Sequence, residues 1–121
     1  MIIPSSGETN VDIARAACIL RKGVALGGDL TIIRSNLNGV FLSYYLNSKK
    51  KYEIAQLAQG VSVVHLYPNQ LATLQLEVPS IKEQRLIADF LSSIDKKVAL
   101  LSRRIESTKQ FKNGLLQQMF V

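Results

Sequence analysis

The chain has very little of the residue types that build disulfide frameworks, metal centres and nucleophilic active sites. Its 121 residues include one cysteine, Cys18, one histidine, His65, and no tryptophan. A single cysteine excludes an internal disulfide framework and makes a reducing compartment the default expectation. One histidine and one cysteine, far apart in the sequence, give no cluster with the spacing of metal ligands. These shortages argue against an enzyme that works through a metal or a nucleophilic side chain.

Long hydrophobic runs and phosphate-binding glycine loops are also missing. No apolar run approaches the ~20 residues of a membrane span, and the N-terminus does not have the pattern of a signal peptide. The pair Gly27-Gly28 lacks the lysine and the spacing of a phosphate-binding loop, so we interpret it as a bend between strands. We therefore expect a cytoplasmic protein with no membrane partner, no metal and no cofactor in this chain.

Positive charge is what the chain does have in excess. The formal net charge is +6, from 15 lysine and arginine residues against nine acidic ones. Residues 80–121 carry more of this excess than residues 1–79. A basic chain favours a nucleic-acid partner, but the same charge is also compatible with plain solubility.

The sequence up to residue 79 alternates short strand and helix patterns, which predicts a small α+β domain. We expect strands at 1–4, 17–20, 24–26, 30–34 and 74–78, and helices at 9–15, 41–46 and 49–58. The second and third strands are predicted to form a hairpin around Arg21-Lys22-Gly23. Gly60 stands where a helix C-terminal glycine belongs, and residues 67–69 have the composition of a turn. Because the chain opens directly on a strand, we expect further residues upstream.

One long helix is predicted from Ser80 onward, in a second domain of residues 80–121. Ser80 followed by Glu83 is a capping box, and no proline interrupts the sequence after it. Apolar residues then recur in steps of four and three, which is a heptad pattern that must be buried against another helix. We call these residues the seam: Ile87, Leu91, Ile94, Val98, Leu101, Ile105, Leu115 and Met119.

The partner of the seam is open among a helix of the same chain, a second copy and a different protein. Residues 1–79 contain no second long helical pattern, so a coiled coil with a partner chain is favoured over packing on the chain's own domain.

Candidate nucleic-acid contacts lie in the predicted domain 1–79. Phosphates are bound by lysine, arginine and backbone N–H groups, and base edges by side chains with matched hydrogen-bond groups. The predicted contacts are Arg34, Lys49, Lys50 and Lys51 for phosphates, with Ser62 and His65 for base edges. The alternatives are a solvated face for the lysine run and a structural role for His65. Further basic residues, Arg15, Arg21 and Lys22, stand at the ends of short elements.

Several of these segments together resemble one known family. They are Gln59-Gly60-Val61-Ser62, His65-Leu66, Val78-Pro79-Ser80, Glu83-Gln84 and Ile87-Ala88 with Leu91, joined by Ala25-Leu26-Gly27-Gly28-Asp29-Leu30 near the N-terminus. In this order they resemble the specificity subunit of type I restriction–modification systems. The resemblance covers essentially the whole chain.

The resemblance implies a non-catalytic subunit whose target-recognition domain reads one half of a split DNA site. It also implies partners: double-stranded DNA, methyltransferase subunits that carry S-adenosylmethionine, and restriction subunits with ATP and magnesium. The family has two recognition domains separated by two antiparallel helices, whereas this chain has one long helix and lacks the upstream half of a recognition domain. The departure predicts a half-subunit that forms a homodimer, in which the long helix pairs in an antiparallel coiled coil with a second copy. The resemblance also implies a bacterial source. The alternative is a truncated remnant that dimerises or binds the methyltransferase through its helix without reading DNA.

Overall fold

The computed structural model describes residues 1–120 and has the predicted α+β composition, with a long C-terminal helix. Its elements in chain order are β1 (Ile2–Pro4), β2 (Ser6–Gly7), α1 (Asn10–Ile13), β3 (Leu30–Ile32), α2 (Gly39–Asn47), α3 (Lys51–Leu57), β4 (Val64–His65), α4 (Pro68–Leu71) and α5 (Ile81–Met119). The chain separates into a compact unit, Met1–Ala88, and a second unit that begins at Asp89.

Two small antiparallel sheets hold the compact unit together. In the first, β1 pairs with β3 so that Ile3 lies opposite Thr31. In the second, β2 pairs with β4, and Ser6 lies opposite His65. Because each sheet joins the N-terminal segment to a distant part of the chain, the fold depends on long-range pairing rather than on local hairpins.

The core lies where α1, α2 and α3 pack against these strands. Ile3, Ile13, Ile54 and Leu66 are each at most 1 % exposed. Helix α2 begins where Asn38 accepts a hydrogen bond from the Phe41 N–H at 2.9 Å. That bond satisfies one of the free N–H groups of the first turn. The remaining core residues are Ala14, Ala16, Leu42, Leu46, Ala55, Ala58 and Val64.

The predicted hairpin is wrong. Ala17 makes a single bridge to Ile2, and the chain from there to residue 28 forms no strand. Leu20 is 78 % exposed, although it belongs to an apolar run. The physical reason is that Ile19, Leu20 and Val24 are exposed, so the segment has no buried face to stabilise a two-stranded hairpin. The turn itself is present, and Gly23 has φ +71° within it.

Three local predictions for the second half of the compact unit are wrong. No strand forms over residues 74–78, which run as irregular chain. Residues 67–69 are not a simple turn, because they open α4, where the Tyr67 N–H donates to the side-chain oxygen of Gln70 at 3.0 Å. Gly60 does not terminate α3, which already ends at Leu57.

Gly60 instead allows a tight loop between α3 and β4. Its φ is +136°, and a Cβ at this position would lie 2.0 Å from the carbonyl oxygen of Val63. The loop is closed by Gln59 and His65, whose backbone groups exchange hydrogen bonds of 2.9 and 2.7 Å. A side chain at position 60 would prevent this closure, since both the dihedral and the space require glycine.

Helix α5 begins at the predicted capping box. Glu83 accepts from the Ser80 N–H at 3.0 Å and from the Ser80 hydroxyl at 2.6 Å, and the Glu83 N–H donates back to that hydroxyl at 3.4 Å. These hydrogen bonds to the carboxylate lower the pKa of Glu83. Over residues 1–120, no helix is long and apolar enough to cross a membrane.

Candidate nucleic-acid interface

Lys49 lies at the end of α2 with its ammonium group near both an aromatic ring and a carboxylate. The Nζ atom is 5.9 Å from the centroid of the Tyr45 ring and 3.9 Å from Glu77. Both members of the ion pair are largely exposed, so the pair contributes little to stability and is readily exchanged for another anion.

Lys50 differs from Lys49 and Lys51 because its ammonium group forms a close ion pair and its side chain is mostly buried. Its Nζ donates to Glu53 at 2.5 Å, and the side chain is only 15 % exposed. The hydrogen bond to Glu53 raises the pKa of Lys50. The ion pair with Glu53 therefore indicates that Lys50, unlike the other two lysines, has a structural role at the start of α3.

Lys51 lies in a solvent-open cleft of about 400 Å³ together with a residue from a distant part of the chain. Its side chain makes no hydrogen bond or ion pair with any of residues 1–120. The cleft is lined by Arg15, Ala16, Ala17, Asn47 and Lys51. The fold thus brings two cations to one cleft, although the sequence alone offers no spacing that pairs them.

Arg34 follows β3 and lies in a second cleft, of about 300 Å³. Residues of β3 and of α4 line it, including Thr31, Pro68 and Leu71. Arg34 is exposed and makes no side-chain hydrogen bond within the part of the chain that the structure describes. Its guanidinium group is therefore available to a phosphate or a base edge.

Ser62 lies within the Gly60 loop, which joins α3 to β4, and His65 lies in β4 where that loop ends. Ser62 is exposed at the tip of the loop, next to Val61, which is 99 % exposed. His65 is in β4, where its backbone is held by Gln59 while its ring stacks on Tyr67, with 6.1 Å between the ring centroids. The loop therefore presents an exposed hydroxyl and an exposed imidazole on a fixed backbone, which suits contact with base edges.

The predicted contacts are thus distributed over three places: the lysines at the α2–α3 junction, Arg34 at the end of β3, and the Gly60 loop. Arg15 is outside the predicted set of contacts, because the sequence identifies it only as one of several further basic residues at the ends of short elements. Nor does any group of three or more histidine, cysteine, aspartate or glutamate residues in the described chain form a metal site.

The seam of α5 is exposed in the described chain. The exposed fractions are 40 % for Ile94, 55 % for Leu101 and 57 % for Ile105, and Leu91 is partly buried. The residues of α5 that are buried are instead Gln84 and Ala88, both within the compact unit. An apolar row of this length is unusual on a solvated helix, because amphipathic helices bury such rows.

The sequence of this chain matches one protein-family model. The model for the type I restriction modification DNA specificity domain matches residues 17–110, from the cleft segment through most of α5. The chain therefore belongs to the type I restriction modification DNA specificity domain family, as the resemblance in its sequence predicts.

Two curated relatives come from Methanocaldococcus jannaschii. The putative type I restriction enzyme MjaX specificity subunit is 27 % identical over 99 residues, which cover 78 % of this chain and 23 % of the relative. The type I restriction enzyme MjaVIII specificity subunit is 22 % identical over 102 residues, which cover 83 % of this chain and 24 % of the relative. The chain thus spans about a quarter of the length of these relatives. No solved structure gives a significant match.

Proposed function

We propose that this chain is the DNA sequence-recognition module of a type I restriction–modification complex and directs methyltransferase and endonuclease subunits to a split target. The observation that carries the proposal is the family match, which covers residues 17–110 and includes most of the long helix. Two relatives that share this region are named specificity subunits. The net charge of +6 supports a phosphate-rich partner.

The proposal assigns different work to the two parts of the chain. Residues 1–79 face DNA: the cations Arg34, Lys49 and Lys51 contact phosphates, and the Gly60 loop reaches base edges with Ser62 and His65. Lys50 contributes only if its bond to Glu53 is exchanged for a phosphate. The module itself is non-catalytic and cytoplasmic, and S-adenosylmethionine, ATP and magnesium belong to the partner subunits.

Residues 80–121 form the spacer in this proposal and pair through the seam with the same helix of a second copy. The exposed apolar side chains of the seam support the pairing, since their burial in a coiled coil would remove them from water. An antiparallel pair of helices of about 60 Å would separate two equal recognition units.

The experiment that tests recognition is selection of duplexes from a random-sequence pool by the chain together with a methyltransferase subunit from the same source. We expect sequencing of the bound fraction to show enrichment of a split motif. Uniform binding of all sequences, with the two proteins still co-purifying, would contradict the proposal. That result would favour the alternative of a remnant that binds its partners through the helix without reading DNA.

A further inference from the structure

The family match assigns no ligand to the cleft that Arg15 and Lys51 line. We propose that the cleft holds one phosphate of the DNA backbone, with both cations contacting the same phosphate group. The inference rests on the proposed DNA-binding function and adds to it a specific site and a residue, Arg15, that the sequence does not single out.

The cleft has the charge and the access to solvent that a backbone phosphate requires. It measures about 400 Å³, opens to solvent, and two of its five lining residues, Arg15 and Lys51, carry positive charge. Sites for small cofactors are usually enclosed, which this cleft is not. A phosphate in a continuous duplex needs an open cleft, because the strand has to enter and leave it.

Arg15 stands on a rigid backbone. Its neighbours Ala14 and Ala16 are 1 % and 6 % exposed, so the chain on both sides of it is packed into the core. Asn47 fixes the same segment from the end of α2. Its side-chain oxygen accepts from the Ala16 N–H at 2.8 Å, and its amide donates to the Ala16 carbonyl at 2.7 Å.

This double hydrogen bond gives the cleft a defined width. Asn47 belongs to α2, and Lys51 begins α3 four residues later, so the clamp on Ala16 holds the Arg15 segment beside the lysine. The backbone at Arg15 is then ordered before the phosphate binds, and only the two cationic side chains lose freedom. A site that is ordered in advance loses less entropy on binding than a flexible pair of cations would.

One carboxylate lies near the site and acts against an anion. Asp12 accepts from Arg15 Nη2 at 3.2 Å, and the two side chains are 55 % and 71 % exposed. An ion pair with this exposure is weak, and the guanidinium group has further N–H donors that remain for a phosphate. Asp12 therefore weakens the site without blocking it.

Three variants test separately how the two cations and Asp12 affect phosphate binding. Arg15→Gln combined with Lys51→Gln removes both cations. Lys96→Gln combined with Arg103→Gln removes the same charge from positions of α5 that lie opposite the seam, and it serves as the matched control. Asp12→Asn removes the competing charge but keeps a side-chain oxygen for the Thr9 hydroxyl, which donates to Asp12 at 2.6 Å.

The test is fluorescence anisotropy of a labelled mixed-sequence duplex with the full 121-residue chain over a series of sodium chloride concentrations. For the cleft double variant we expect affinity to fall about tenfold. The slope of log affinity against log salt should fall by about one unit, because one phosphate contact is lost. Asp12→Asn should bind about twofold to fivefold more tightly than wild type. The control on α5 should keep the wild-type slope.

A cleft double variant whose slope equals that of the control would overturn the assignment while leaving DNA binding in place. A wild-type chain with no measurable affinity for the duplex would overturn both the assignment and the proposed function. A cleft double variant that loses binding of inorganic phosphate, measured by ³¹P NMR titration, but keeps the wild-type salt slope for the duplex would identify free phosphate as the ligand of the cleft and contradict its assignment to the DNA backbone.

Discussion

At the scale of single residues, Gln84 connects two helix starts within the compact unit. It is 2 % exposed, its side-chain oxygen accepts from the Asn38 N–H at 3.0 Å, and its amide donates to the Pro79 carbonyl at 2.9 Å. Asn38 is in turn the N-cap of α2. One buried amide thus joins the start of α2 to the entry of α5, with both its oxygen and its nitrogen hydrogen-bonded.

Replacing Gln84 by methionine should therefore destabilise the chain. The change keeps the length of the side chain but leaves the Asn38 N–H and the Pro79 carbonyl without these partners, which costs about 1–3 kcal/mol. Urea denaturation followed by circular dichroism measures the free energy of unfolding. Gln117→Met, on an exposed position of α5, is the control and should change it little. Equal stability of Gln84→Met and wild type would show that the clamp contributes nothing.

Gly60 offers a second residue-scale test, because an alanine there meets both a dihedral and a steric barrier. With φ +136° and the Val63 oxygen 2.0 Å from the position of an added methyl carbon, Gly60→Ala should lower the free energy of unfolding by about 2 kcal/mol or more. Gly114→Ala is the matched control: it lies within α5 with nothing within 4 Å of the added carbon.

The control should move in the opposite direction, since alanine favours a helix over glycine by about 0.5–1 kcal/mol. Thermal unfolding of both variants, monitored by circular dichroism, provides the comparison. A Gly60→Ala chain as stable as wild type would be incompatible with the tight loop between α3 and β4.

At the scale of elements, the start of α5 depends on pH through Glu83. Hydrogen bonds from Ser80 lower the pKa of Glu83 in the folded chain relative to the unfolded one. The stabilisation from a depressed carboxyl pKa is present above the unfolded-state value and is lost as the pH falls through the folded-state value. Acidification below the ordinary glutamate range should therefore loosen the first turn of α5.

Amide hydrogen exchange at the first turn of α5, measured at several pH values, tests this expectation. The wild-type chain should lose protection there on acidification. Glu83→Gln keeps a capping side chain without a titrating group, so its protection should depend less on pH. If both chains lost protection over the same pH range by the same factor, the Glu83 carboxylate would not be the group that stabilises this turn.

The seam makes a second prediction at this scale, on self-association. Glutamate at Ile94, Leu101 and Ile105 would place charges within the proposed helix–helix contact, so we expect the triple variant to be monomeric. Glutamate at Ser92, Gln110 and Asn113 adds the same three charges away from the seam and should leave a dimer intact. Light scattering with size-exclusion chromatography measures the mass of each. A dimer that persists in the seam variant would exclude the coiled coil.

The elements that the sequence predicted correctly are those with local signals. The capping box at Ser80, the helical spacing around Phe41 and the strand at Ile3 are each encoded within a few residues. The hairpin failed because its apolar run, including Leu20, predicts a burial that the fold does not provide. β1 pairs with β3, a choice that only the assembled fold determines.

The same distinction applies to the candidate interface. Lys51 and Arg15 are both identified as basic residues in the sequence, but their shared cleft could not be predicted, since the packing of Ala16 against Asn47 brings the two cations together. Conversely, the lysine run looked uniform in sequence, and the fold distinguishes Lys50, paired with Glu53, from Lys51 in the cleft. Local sequence identifies residue types, and long-range packing decides which of them share a surface.

At the scale of the whole molecule, the proposed dimer would relate two equal recognition units by two-fold symmetry. Symmetric units read symmetric half-sites, so the DNA target should be a palindromic motif split by a spacer. An asymmetric motif would instead require a second, different recognition domain. The form of the motif therefore reports on the architecture of the assembly as well as on its specificity.

A methylome shows most directly whether this chain reads DNA. The chain is expressed with a type I methyltransferase subunit from the same source, and N6-methyladenine is mapped across the host DNA. We predict new methylation at a palindromic split motif, absent when the chain is omitted. No new methylation, with the two proteins still co-purifying, would contradict the proposal that this chain directs the methyltransferase to a DNA sequence.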